Sequence, residues 1–188
     1  FPNAQYSNLA EPKYKAFYPA LSDPRLPFLS HVGYEFSLIG KDQSVGDPNR
    51  VKFGLDEGVT VIAAHACSYG LMVYERFLSV LLDFSHRYPN FYADISALTL
   101  PNRFRMLLHL RRHPDIYDRL LFGTDYPLSV MHAAAWGRVG LQTLRALVRT
   151  KNRFDRQYAV CKSLGVGFKS FDMLLRESSN PPRPGTGE

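Results

Sequence analysis

The sequence predicts an α/β protein built on a parallel sheet with crossover helices. Two observations carry that prediction. Four short runs, LPFLSH (26–31), VTVIAAH (59–65), NFYADIS (90–96) and RLLFGTD (119–125), have apolar centres, as strands covered on both faces do. Helical or turn-rich sequence follows each of them, the alternation that produces βα units. Each run also closes on or near a polar residue, namely His31, His65, Asp94 and Asp125. These recur roughly every thirty residues, one strand–helix unit. In parallel α/β folds the carboxyl edge of the sheet is where sites are built, so these four residues mark a candidate site.

Taken in order, residues 1–24 carry several Pro and Tyr and predict a short helix from Pro12 to Leu21. After the first strand, residues 32–46 read as a loop punctuated by Gly33, Gly40 and Gly46. Asp47 followed by Pro48 supplies an N-cap and a proline at the first helical position, so DPNRVKFGLDEG predicts a helix closed by Gly58. VTVIAAH is the clearest strand. Leu71 to Arg87 then sets Val73, Phe77, Val80, Leu81 and Phe84 on one side of a helix. NFYADIS is the third strand, Arg103 to His113 a basic amphipathic helix, and RLLFGTD the fourth strand. Further helices are expected at 130–136, 140–150 and 154–164. The closing SSNPPRPGTGE is polar and rich in Pro and Gly, a composition that cannot offset the entropy of ordering, so disorder is expected from residue 178.

At 188 residues, 45% hydrophobic and 21% charged, the chain can bury a sizeable core and suits one domain. The formal net charge is +6, and many of its arginines lie between Arg103 and Arg156. Such arginines on helices are usually solvated faces, and no zinc-finger, RNA-recognition or KH pattern accompanies them, so nucleic acid is not expected as a partner. The two cysteines, Cys67 and Cys161, sit in apolar contexts and read as packed thiols. With no leader-like start and no long apolar stretch, the expected setting is a reducing cytoplasm, with no membrane partner. The sequence contains no G-x-S-x-G elbow, no G-x-G-x-x-G after a strand and no Walker A loop.

A carboxylate at the exit of the most apolar strand needs a partner, because an unpaired buried charge costs several kcal/mol. His31, His65 and Asp125 offer one answer. Two imidazoles and a carboxylate at one sheet edge suit a divalent metal, zinc first, with manganese, iron and cobalt also suited. The structural alternative is that each histidine is hydrogen-bonded and inert and that Asp125 caps the following helix. His86, His109 and His113 fall on helix exteriors or ends, and His132 follows the last strand closely enough to approach the site's mouth.

The blocks LPFLSHVGYEFSL, GDPNRVKFGLDEGVTVIAAHAC, YPNFYADISALT and RLLFGTDYP resemble the amidohydrolase superfamily. The resemblance is to the amidohydrolase-related branch, which includes metal-dependent hydrolases and aminocarboxymuconate-semialdehyde decarboxylases. It covers residues 1–165 and implies a TIM (β/α)8 barrel of which this chain supplies strands five to eight and the carboxyl-terminal helices, with 166–188 an extension. It implies that His31, His65 and Asp125 bind metal. His65 would also act as base or polariser, and Asp125 would carry the proton of a metal-activated water. Tyr34, Glu35, Asp94 and Tyr126 are implied as substrate-side residues, with Ser96 beside Asp94. The implied activity on a small-molecule substrate is hydrolysis of a C–N, C–O or lactone bond, or decarboxylation of an aromatic-type acid. The family's strand-one His-x-His is absent from this sequence. The resemblance therefore implies completion by an amino-terminal half or by a second copy, and leaves open a non-catalytic, partner-dependent α/β fragment.

Overall fold

The computed structural model describes residues 5, 7–22, 26–35, 42–71 and 74–172. Its centre is a four-stranded, all-parallel sheet with the strands in sequence order: β1 (Phe28–Ser30), β2 (Val61–Ala63), β3 (Phe91–Asp94) and β4 (Leu120–Leu121). Every strand predicted from the sequence is present, and each is shorter than its apolar run. The register aligns Phe28 with Val61 and Phe91, and Ser30 with Ala63, Ala93 and Leu120.

Helices α1 (Phe17–Ser22), α2 (Lys52–Asp56), α3 (Leu78–Arg87), α4 (Phe104–Leu110), α5 (Leu141–Arg149) and α6 (Arg153–Ser163) alternate with and follow these strands. The two-residue period of a strand divides the core. Val61, Ala63, Phe91, Ala93 and Leu120 join the larger cluster, which includes Leu81 of α3, Met106, Leu107 and Leu110 of α4, and Val160 of α6. Ile62, Tyr92 and Leu121 form a small separate cluster. Complete burial of a leucine or isoleucine side chain stabilises by about 1.5–3 kcal/mol, so the larger cluster dominates the fold's stability.

Four helices differ from the sequence expectation. The one expected from Pro12 to Leu21 is a 3-10 turn, Pro12–Tyr14, followed by α1. The run from Asp47 is a 3-10 turn, Pro48–Val51, leading into α2, with the Asp47 carboxylate accepting from Asn49 N at 2.9 Å and Gly58 closing it at φ +79°. The helix expected from Leu71 begins only at Leu78. Ahead of it, Glu75 accepts hydrogen bonds from the Tyr69 backbone N–H at 2.7 Å and from Ser68 Oγ at 3.1 Å, ties that hold the segment as a loop; Val73 lies outside the described residues. Only a turn at Ala133–Ala135 stands in the region 130–136.

The segment after α6 is not separate from the sheet. Val166 is buried, Lys169 N–H donates to Leu120 O at 2.7 Å, and Phe122 N–H donates to Lys169 O at 2.9 Å. Lys169 thereby forms a parallel bridge to Leu121 on the edge of β4. Residue 165 is consequently no boundary of contact. The disorder expected from 178 falls on residues outside those described.

Candidate functional site

A cavity of about 430 Å³ opens at the carboxyl end of the sheet. His31, His65, Asp94, Ser96 and Asp125 all line it, so the polar ends of the four strands do meet. Apolar walls come from Leu29, Phe122 and Phe171. The backbone is unusual here. The non-glycine residues with positive φ among those described are His65, Ala66, Cys67, Ala97 and Asp125, and all lie just beyond β2, β3 or β4. Left-handed backbone costs an ordinary residue about 1–2 kcal/mol and persists where the surroundings enforce it.

His65 is held from behind. Its Nδ1 lies 2.8 Å from Ser96 Oγ and 3.1 Å from the Ser96 carbonyl oxygen. A carbonyl can only accept, so the network assigns the proton to Nδ1. Ser96 Oγ in turn donates to Asp94 Oδ1, which also accepts from the backbone N–H groups of His65 and Ser96. The bare Nε2 of His65 then faces the Asp125 carboxylate at 3.8 Å. Burial, aided by the nearby Arg103 and His31 and opposed by Asp125, pushes the His65 pKa down to about 4, so the ring is neutral at pH 7. Burial also pushes the Asp94 carboxyl upward, against its three hydrogen bonds.

His31 stands edge-on to His65, with ring centroids 4.9 Å apart. Its Nε2 is 3.2 Å from Glu35 Oε2, and the same oxygen accepts from Arg103 Nη2 at 2.7 Å. Arg103 is only 3% exposed and donates from Nη1 to the Ser68 carbonyl at 3.3 Å. The sequence hides this residue, because an arginine at the start of a basic amphipathic helix reads as solvated. Phe171 was equally hidden, lying past the expected end of the domain.

Of the expected substrate-side residues Tyr34, Glu35, Asp94 and Tyr126, only Asp94 lines the cavity. Tyr34 packs on Tyr69 and Phe77, at centroid separations of 5.0 and 5.4 Å, because an aromatic cluster takes it up. Tyr126 is 68% exposed and stacks on Phe154. Glu35 reaches the site only through His31, and Asp94 orders the strand ends. Among the other histidines, His86 pairs with Asp115 at 2.8 Å and His132 packs on Trp136 away from the cavity. Both cysteines are buried, and burial pushes both thiols up, that of Cys161 to about 12, which leaves no thiolate nucleophile.

The chemistry of the donor set fits a divalent cation. A neutral imidazole with its lone pair turned toward a carboxylate is an acceptor facing an acceptor, a gap that a cation fills. His31, His65 and Asp125 would hold such an ion. Among the described residues no group of three His, Cys, Asp or Glu side chains already converges on one point.

No protein-family profile matches the sequence, and no curated protein matches it. One solved structure does. It is an uncharacterized TIM-barrel protein from Bordetella bronchiseptica, matched with a TM-score of 0.55 at 16% identity over 93% of this chain. The likeness is one of fold. This chain spans 54% of the length of that barrel, so its parallel sheet and helices correspond to about half of a TIM-barrel protein. No helix among the described residues is long and apolar enough to cross a membrane.

Proposed function

We propose that the strand-end cavity is half of the active site of a metal-dependent hydrolase of the amidohydrolase superfamily, the chain supplying strands five to eight of its barrel. The observation that carries this reading is the pair His65 Nε2 and Asp125, two acceptors 3.8 Å apart, with the His31 ring beside them. A divalent cation bound there, zinc in the first instance, would polarise a substrate carbonyl and acidify a water molecule. Asp125, lining the same cavity, would accept a proton from that water and pass it to a leaving group. Burial keeps His65 neutral, Ser96, itself tied to Asp94, fixes its tautomer and tilt, and Leu29, Phe122 and Phe171 offer an apolar bed for a small substrate. The bond broken would be C–N, C–O or lactone, with decarboxylation of an aromatic-type acid as the neighbouring chemistry.

Metal content tests this directly. Protein purified without chelator is expected to carry about one equivalent of zinc or manganese, lost in His31→Ala. Absence of metal from both proteins, even after incubation with excess zinc, would overturn the reading.

A second reading has its own support. Leu26 and Leu29, at or beside the edge strand β1, are 52% and 57% exposed, an apolar edge that suits assembly. Under it the chain is a partner-dependent α/β domain, completed by a second copy or by another half-barrel. A monodisperse monomer at high concentration would exclude self-completion.

A further inference from the structure

A second cavity, of about 260 Å³, lies between α4 and the segment that carries Arg138, and it shares no lining residue with the strand-end site. Its walls are Phe104, Arg105, Leu108, His109, Arg112 and Arg138. Positions 105, 109 and 112 follow helical spacing, so α4 and the turn after it present three basic groups on one face. Arg138 joins them from another segment of the chain. No Asp or Glu lines the cleft.

These cations have little to neutralise them. Among the described residues, no ion pair engages Arg105, Arg112 or Arg138. Arg138 donates from Nη1 to the Trp136 carbonyl at 3.0 Å, which leaves most of its fork free. The Nε of Arg105 is buried with no hydrogen-bond acceptor within reach among the described residues. A buried donor left unmet costs about 1–3 kcal/mol, and like charges gathered in a concave surface repel. Burial and then Arg105, Arg112 and His113 lower the His109 pKa. An arrangement of this kind is relieved by an anion.

The surroundings narrow the anion's chemistry. An adjoining pocket of about 180 Å³ shares Phe104 and Arg138 with the cleft and is otherwise lined by Thr99, Pro101, Ala133 and Ala134. An ionic cleft thus opens beside a small, mostly apolar one. Guanidinium forks match the oxygens of a phosphate two at a time. A nucleic-acid surface would instead string its cations along a backbone track. Here they line one cleft.

We propose that this cleft binds a small phosphate monoester, with the phosphate held by Arg105, Arg112 and Arg138 and a compact apolar group seated against Phe104, Pro101 and Ala134. The site is separate from the strand-end cavity and does not depend on the cation reading of it.

Isothermal titration calorimetry with inorganic phosphate, phenyl phosphate and phenol tests the proposal. Phenyl phosphate is expected to bind about tenfold more tightly than inorganic phosphate, and phenol not to bind. Arg112→Ala and Arg138→Ala alter exposed side chains, so the fold is not at risk, and each is expected to weaken phenyl phosphate about tenfold. Arg112→Lys, which keeps charge and loses the fork, is expected to fall between wild type and Arg112→Ala. His31→Ala is expected to leave this binding unchanged. Failure of phenyl phosphate to bind would overturn the proposal. So would its loss in His31→Ala, which would place the anion in the strand-end cavity. Steeply salt-dependent binding of a single-stranded oligonucleotide, lost in Arg112→Ala while phenyl phosphate is ignored, would overturn it in favour of a nucleic-acid surface.

Discussion

Ser96 holds His65 by its Nδ1, with Oγ at 2.8 Å and the main-chain carbonyl at 3.1 Å, so one residue fixes both the tautomer and the tilt of the ring. Groups that orient a metal-ligating imidazole from behind commonly contribute 10–100-fold to affinity. Ser96→Ala is therefore expected to weaken zinc binding by about tenfold or more, as read by competition with a chromogenic chelator. Equal affinity in the variant would show that the carbonyl alone suffices to set the ring.

Gly33 has no freedom to change. It sits at φ +94°, and a Cβ there would collide with the carbonyl oxygen of Ser68, the same oxygen that receives Arg103. Gly33→Ala is expected to cost about 2 kcal/mol or more in urea unfolding. Gly137, at φ +66° with open space around it, is the control, and Gly137→Ala is expected to cost only about 1 kcal/mol. Equal losses would mean that the contact with Ser68 is relaxed at little cost.

Arg103 and Glu35 form a buried pair, 3% and 13% exposed at the side chain. Removing one member strands the other, and such single losses cost about 3–5 kcal/mol, whereas apolar replacement of both is often tolerated. Arg103→Met is expected to destabilise strongly, and Arg103→Met with Glu35→Leu to recover much of the loss. A double variant as unstable as the sum of the singles would show that the two side chains act independently.

Glu75 predicts a pH dependence. Burial raises its carboxyl pKa, against the hydrogen bonds of Tyr69 and Ser68 and the pull of Arg103. The folded chain therefore keeps the proton to higher pH than the unfolded chain does. Its contribution to stability is full below the ordinary glutamate range and is lost as pH rises through the raised value. Glu75→Gln removes that loss. Measured against wild type, the variant is expected to gain stability as pH rises from the ordinary glutamate range through the raised value; a difference that stays constant with pH would refute the assignment.

The sheet was legible because buried parallel strands are written in continuous apolar runs, and Val61, Ile62, Phe91, Leu120 and Leu121 leave no other placement. The strand-end positions of His31, His65, Asp94 and Asp125 followed from that period alone, and the cavity gathers all four. What stayed hidden depends on long-range partners. Nothing near Arg103 announces that Glu35 waits for it, and Glu35 reads equally well as a pocket residue. Tyr34 and Tyr126 were misplaced for a similar reason. Aromatic side chains satisfy themselves against one another, and no local pattern states which neighbour wins. The delayed start of α3 rests on Glu75 turning back to Tyr69, a contact made by side-chain chemistry and not by periodicity.

The bridge from Lys169 to Leu121 bears on stoichiometry. It consumes the outward hydrogen-bonding groups of β4, while no strand among the described residues flanks the outer side of β1. A sheet with two open margins can add copies without end, and such growth makes fibres. A sheet with one margin sealed can accept a neighbour once, and the event then terminates. Under the reading in which a second copy completes the sheet, one sealed margin favours pairs over polymers. Under that same reading, removing the Lys169 segment is expected to let association continue beyond the pair.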